Sequence, residues 1–151
     1  MLKFYVSSFI PLGDNKLFHT IIGTMENEGP VVVKTYLRKF VKNGESQDML
    51  EEYKKILQGI KDKFSFPKHA NVMPCQSLSL ESKAAFLVRQ YFPFSLKQRM
   101  NSLQKLTYQD QMWFAFQMLC GVSQIHCEGK YHGDIKPQNV MVTSWNWLFI
   151  T

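Results

Sequence analysis

Cysteine is scarce in this chain of 151 residues, and the three present, Cys75, Cys120 and Cys127, are odd in number and outside any CxxC pair. That usage argues against disulfides and structural zinc and fits a reducing intracellular compartment. Long apolar runs are missing too: none reaches the roughly 20 residues that cross a bilayer as a helix. The start, Met1 to Ile10, faintly resembles a signal peptide, but Pro11 interrupts it and a strand is the better reading. Leu2 stands where N-myristoylation would need glycine. Acidic residues are outnumbered, 12 against 18 Lys and Arg, for a net charge of +6. Such an excess favours phosphates, nucleic acid or anionic surfaces. No dense basic run marks a nucleic-acid arm, so a basic surface around a nucleotide site is preferred and no nucleic-acid partner is expected. Internal repeats and low-complexity segments are absent.

The chain does have enough apolar residues, 45%, to build a core. Phe18 to Ile22 and Val31-Val32-Val33 read as a strand hairpin around a turn-rich connector, Gly23 to Pro30. From Ser46 to Lys63, Leu50, Tyr53, Ile56, Leu57 and Ile60 recur at helical spacing, and Asp48, Glu51 and Glu52 suit the start of a helix. Phe66-Pro67 and Met73-Pro74 separate this helix from two strands, Gln76 to Leu80 and Ala84 to Tyr91. After Pro93 comes a long helix, Tyr108 to Cys127, apolar on most of its circumference and therefore expected to be buried in a larger body. Strands and one helix followed mainly by helix is an α+β order. The division falls near residue 92, giving segments 1–92 and 93–151.

The run His132-Gly133-Asp134-Ile135-Lys136-Pro137-Gln138-Asn139 carries the chemistry, and it resembles the catalytic loop of protein kinases. In phosphoryl transfer an enzyme mainly positions groups and neutralises charge. Asp134 would accept or orient the proton of the attacking hydroxyl, and Lys136 would face the phosphate in transfer. Asn139 would offer a neutral oxygen to Mg2+, which prefers hard oxygen ligands, while His132 braces the loop from behind. Loop residues alone could be ordinary turn formers, but a preceding apolar helix and a following Val140-Met141-Val142 strand are the context the motif needs. Zinc binding by His126 and His132 lacks further ligands at suitable spacing.

Upstream, Val31-Val32-Val33-Lys34 matches the strand whose lysine pairs with nucleotide phosphates. Its acidic partner should lie on the next helix, the helix C of kinases. Glu52 is preferred, with Ile56 one turn on at the packing side and Glu51 as reserve. The glycine-rich loop is degraded: Gly13 is followed by Asp14-Asn15-Lys16-Leu17-Phe18, so only its first glycine remains, and Lys16 could compensate by charge. Leu87 to Phe92 should lead into a hinge whose Gln90 and Phe92 backbones face adenine, with Val32 above the ring and Met141 below. Arg89 would guard the back of that pocket, where a charge needs a partner.

With these residues in place the chain resembles eukaryotic protein kinases. More narrowly, it resembles the vacuolar protein sorting kinases that serve as regulatory subunit 4 of class III phosphatidylinositol 3-kinase. The narrow likeness rests on Arg89-Gln90-Tyr91, on His132 to Lys136, and above all on Asn139-Val140-Met141-Val142-Thr143-Ser144-Trp145-Asn146-Trp147. The resemblance implies a kinase fold with a complete small lobe and a large lobe cut short before the Asp-Phe-Gly position expected after Thr151. It implies ATP and Mg2+ as cofactors and a non-specific serine/threonine kinase activity, weak or absent in a chain of this length. It also implies partnership with the class III lipid kinase in autophagy and endosomal complexes, hence a cytoplasmic protein peripheral on endosomal, vacuolar and autophagic membranes. Gly133, standing where many kinases have arginine, argues against control by activation-loop phosphorylation. The alternative is a pseudokinase-like scaffold, favoured by the degraded glycine loop and Arg89. A chain ending there would be poorly soluble by itself.

Overall fold

The computed structural model describes residues 4–14, 19–25, 29–37, 46–81 and 84–151, which fall into two compact units. Met1–Lys63 and Cys75–Tyr91 make the first, and Phe64–Pro74 with Phe92–Thr151 make the second.

The first unit is an antiparallel sheet of β1 (Phe4–Asp14), β2 (His19–Met25), β3 (Gly29–Leu37), β4 (Ser77–Leu80) and β5 (Ala84–Gln90), with one helix, α1 (Ser46–Lys63). Its strands run in the order β1-β2-β3-β5-β4. The hairpin of β2 and β3 is longer than its connector suggests, since Gly23 pairs with Val31 inside the ladder. Gly29, at φ 81°, takes the left-handed conformation that a side chain would resist. In β1 the pairing runs through Pro11, with register shifts on both sides; an edge strand tolerates the missing donor. β5 ends at Gln90, one residue short of expectation, and the Tyr91 N–H donates to Pro30 O at 3.1 Å.

Strand alternation sorts the side chains of this sheet. Met25, Val31 and Val88 form a small core on one face, with Val33 against it. On the other face Ala85 and Leu57 of α1 are buried among Tyr36, Leu78 and Leu87, and Tyr36 meets Tyr53 with ring centroids 5.6 Å apart. Burying Leu57 is worth about 2 kcal/mol. The packing stripe of α1 therefore runs through Tyr53 and Leu57. Ile56, expected on that side, is half exposed to solvent. One residue along a helix turns the side chain by about 100°, so choosing Leu57 for the core sends Ile56 and Glu52, one turn earlier, outward.

The second unit contains β6 (Phe94–Ser95), α2 (Leu96–Met100), α3 (Tyr108–Cys127), a 3₁₀ turn at Pro137–Asn139, β7 (Val140–Val142) and β8 (Leu148–Ile150). Its three strands pair in the order β6-β7-β8. α3 starts where the sequence predicts because Thr107 and Asp110 form a reciprocal capping box. It stops because Gly129, at φ 67°, lets its own N–H reach His126 O and the Lys130 N–H reach Ile125 O.

Within the described residues α3 is covered along one side. Its buried residues are Phe114, Gln117, Gly121 and Ile125, while Met112, Phe116 and Leu119 are exposed. The buried stripe meets the segment Phe64–Pro74 and β8, and among the described residues no element covers the opposite side. Gly121 is part of that contact: a Cβ there would stand 2.8 Å from Ile150 Cδ1 and 3.1 Å from Asn71 O.

Polar groups knit this contact together. Gln117, 1% exposed, accepts from the Leu148 N–H at 2.9 Å and from Asn71 Nδ2 at 3.3 Å, and donates through Nε2 to Asn146 O at 2.9 Å. Asn71 also donates to Leu148 O at 3.0 Å, and its N–H donates to Gln124 Oε1. Backbone bonds from Ile150 N to Asn71 O and from Met73 N to Ile150 O complete the clasp. The buried His69 takes the Ser65 N–H on Nδ1, so Nε2 carries the hydrogen and donates to Glu128 Oε1 at 3.1 Å.

Candidate active site

The residues singled out in the sequence lie in both units. In the first, β3 carries Val32 and Lys34 on the same side of the sheet, the side that α1 covers. Val32 is 5% exposed and Lys34 half-buried. Register places Arg89 of β5 opposite Val32 and Leu87 opposite Lys34, so both cations share one face. Burial first, and then the Arg89 charge, lower Lys34 from 10.5 to about 8. Burial likewise lowers Arg89, which the nearby Tyr36 hydroxyl partly offsets. Gly13 lies within β1, paired with Thr20. Residues 15–18, including Lys16, fall outside the described residues.

Glu52 and Lys34 are not brought together. Glu52 is exposed on α1, and Glu51 forms an ion pair with Lys54 at 2.7 Å. The helix phase that buries Leu57 accounts for this: it points the 52 and 56 positions away from the sheet. Gln90 is exposed at the end of β5, and its backbone pairs with Val31.

In the second unit, Phe92 follows the strand and packs against Phe149, ring centroids 5.3 Å apart. Met141 is half-buried on β7, between Ser95 and Phe149 in the ladder. Between α3 and β7 the loop brings together the three polar residues the motif predicts. Lys136 Nζ lies 2.7 Å from Asp134 Oδ2, and Asn139 Nδ2 donates to the same oxygen at 2.8 Å and to Asp134 O at 2.9 Å. These bonds, that from Lys136 foremost, hold the exposed Asp134 carboxyl below its ordinary range. At neutral pH Asp134 is an ionised acceptor. With both hydrogens of its amide turned to Asp134, Asn139 has its carbonyl oxygen left for a cation. Among the described residues no group of three or more His, Cys, Asp or Glu could hold a metal. Asn139 would fit Mg2+ as one oxygen ligand.

The loop is anchored to β8 rather than to the helix before it. His132 Nε2 bonds Thr151 O at 2.9 Å, and its Nδ1 accepts the Asp134 N–H at 3.2 Å. Thr151 N–H donates to Asn139 O at 3.0 Å. Gly133, at φ 78°, lets the chain reverse between His132 and Asp134. The Asn71–Gln117–Leu148 clasp holds β8, and β8 leads into Thr151, so this buried network positions the catalytic loop. Sequence reasoning passed over Asn71 and Gln117. The available signal was one amide inside the apolar run of α3 and another in the proline-bounded segment before β4.

Comparison with known proteins agrees with this geometry. The model of the protein kinase domain matches residues 20–150. A serine/threonine-protein kinase VPS15 of Arabidopsis thaliana is 45% identical over 124 residues, covering 82% of this chain and 8% of the relative. A probable serine/threonine-protein kinase vps15 of Dictyostelium discoideum is 35% identical over 140 residues, 93% of this chain and 7% of the relative. The Schizosaccharomyces pombe serine/threonine-protein kinase vps15 is 29% identical over 140 residues, again 93% of this chain and 8% of the relative. The chain thus spans under a tenth of the length of these relatives. In kinase terms, the five-stranded sheet with α1 is the small lobe and the second unit is part of the large lobe. With its α+β architecture and its catalytic loop in place between helix and strand, the chain belongs to the protein kinase domain family.

Proposed function

We propose that this chain is the front part of an ATP-dependent serine/threonine kinase domain in a regulatory subunit of class III phosphatidylinositol 3-kinase. The observation that carries the chemistry is the convergence of Lys136 and Asn139 on Asp134 Oδ2. Asp134 orients a substrate hydroxyl and takes its proton as the oxygen attacks the terminal phosphorus, while ADP leaves. Lys136 neutralises charge on the phosphate in transit, and Lys34 does so on the phosphates that stay with ADP. By the kinase resemblance we assign Val32 and Gln90 of the first unit, and Phe92 and Met141 of the second, to adenine binding, and Gly13 to the phosphate loop. Mg2+ bound through Asn139 would screen the phosphate charge. The relatives carry names of serine/threonine-protein kinases of the VPS15 type; partnership with the lipid kinase, and with it a role in vesicle trafficking and autophagy on endosomal and vacuolar membranes, is the reading we add.

A second reading, a non-catalytic scaffold for the lipid kinase, is favoured by one observation: Arg89 adds a charge to the face that carries Lys34. Two assays on the whole protein separate the readings. Transfer of labelled phosphate from ATP to a serine/threonine peptide, dependent on Mg2+ and lost in Lys34→Met, supports the kinase. Nucleotide binding without transfer supports the scaffold, and absence of both defeats the nucleotide site itself.

A further inference from the structure

β3 and β5 bring two cations together on one face of the small-lobe sheet. Arg89 stands directly across the ladder from Val32, and Lys34 lies two residues beyond Val32 on the same strand. Directly paired residues and residues two apart project from the same side, so Lys34 and Arg89 are diagonal neighbours. Such neighbours lie about 7–8 Å apart at the backbone, within reach of each other's long side chains. Both are half-buried. After burial, the Arg89 charge is the second cause that lowers Lys34 to about 8.

The groups beside them add little negative charge. Tyr36 is the next residue of β3 on this side, and burial raises its hydroxyl. At neutral pH it therefore offers a dipole rather than a charge. α1 turns Tyr53 and Leu57 to this face. Its Glu52 is exposed, and Glu51 pairs with Lys54 at 2.7 Å. Two like charges held side by side where water is partly excluded repel, and an anion between them relieves that repulsion.

We propose that Arg89 is a second phosphate-binding residue of the small lobe, which with Lys34 takes the phosphate chain of a nucleoside di- or triphosphate. The inference rests on the reading of Lys34 as a nucleotide-phosphate ligand and deepens it. Arginine keeps its charge in a partly buried site and presents a planar fork of N–H donors to phosphate oxygens. Of the glycine-rich loop only Gly13 remains, so backbone N–H groups approach phosphate less closely and side-chain charge offsets that loss. The opposing view is that Arg89 simply blocks the pocket. Arg89→Met separates the two, because it keeps much of the length and removes the charge.

The test measures binding of ATP, ADP and adenosine to the whole protein by titration calorimetry, alongside acylation of Lys34 with and without inorganic tripolyphosphate. ATP and ADP should bind about ten-fold or more tightly than adenosine. Arg89→Met should remove about ten-fold of the ATP affinity and leave adenosine binding within a factor of about two, whereas Arg89→Lys should keep most of the parent's preference. Tripolyphosphate should move the Lys34 midpoint of the parent upward, since a nearby anion favours the charged amine. Circular dichroism verifies folding; if Arg89→Met does not fold, the tripolyphosphate shift in the parent and in Arg89→Lys decides. ATP affinity in Arg89→Met equal to or above that of the parent, or a Lys34 midpoint that tripolyphosphate leaves in place, would overturn the proposal. Binding that depends on Arg89 without phosphate transfer would defeat the kinase reading and keep this one. Transfer and affinity both untouched by Arg89→Met would do the reverse.

Discussion

Replacing Gln117 with leucine removes the central piece of the clasp behind the catalytic loop while keeping the volume nearly constant. The Leu148 N–H loses its acceptor in a fully buried position, which costs about 1–3 kcal/mol. Asn146 O loses a donor as well, about 1 kcal/mol, because Asn146 is only half-buried and water can replace part of the bond. Asn71 Nδ2 loses a long contact but keeps Leu148 O. The added apolar side chain returns roughly 1 kcal/mol. The net is a destabilisation of about 1–3 kcal/mol, measurable as a lower urea midpoint followed by tryptophan fluorescence. Location is the sharper readout. Hydrogen exchange should accelerate at the amides of Leu148 and Thr151 and at Asp134, whose N–H rests on His132. A variant within 0.5 kcal/mol of the parent, with unchanged exchange at Leu148, would refute the claim that this amide holds β8 and the loop.

Three further outcomes follow from the site. Lys34 should acylate with a midpoint near pH 8, read by mass spectrometry after pulsed labelling, and Arg89→Leu should restore only part of the distance to 10.5, because burial is the larger cause. A midpoint near 10.5 in the parent would contradict its burial. Asp134 should titrate below the ordinary aspartate range by carbon-13 NMR and return towards it in Lys136→Ala. Because this pKa is depressed by folding, the associated stability is present above the unfolded value and is lost as pH falls through the folded one; a Lys136→Ala variant with unaltered titration would break the link. Gly133→Ala should cost about 1–2 kcal/mol through its positive φ rather than through a clash, since no atom lies within 4 Å of the added carbon. Equal urea midpoints of variant and parent would rule that strain out.

Much of the fold could be read from the sequence where one local rule dominates. α1 and α3 are bounded correctly because apolar patterning persists over many residues, with an acidic start for α1. The catalytic loop was legible because three polar residues at fixed spacing have one shared task, and the structure joins them at Asp134 Oδ2. Helix phase was harder: Ile56 and Leu57 are both apolar, and only packing against Ala85 decides between them. That one-residue choice decides where Glu52 points. Gly23 in β2 was misread for the same reason, since a turn-forming glycine takes its meaning from the strand that lies beside it. The Asn71–Gln117–Leu148 clasp joins residues 46 and 77 positions apart, a pairing no local pattern encodes.

The most direct test of the central claim, that Asp134 with Lys136 and Asn139 forms a phosphate-transferring site, is Asp134→Asn in the whole protein. The amide keeps the shape and can still accept from Lys136, but it cannot take a proton. Mg2+-dependent turnover on a serine/threonine peptide should fall by about 10²–10⁴-fold while ATP affinity stays within a factor of a few. Full turnover in the variant would contradict the role assigned to Asp134.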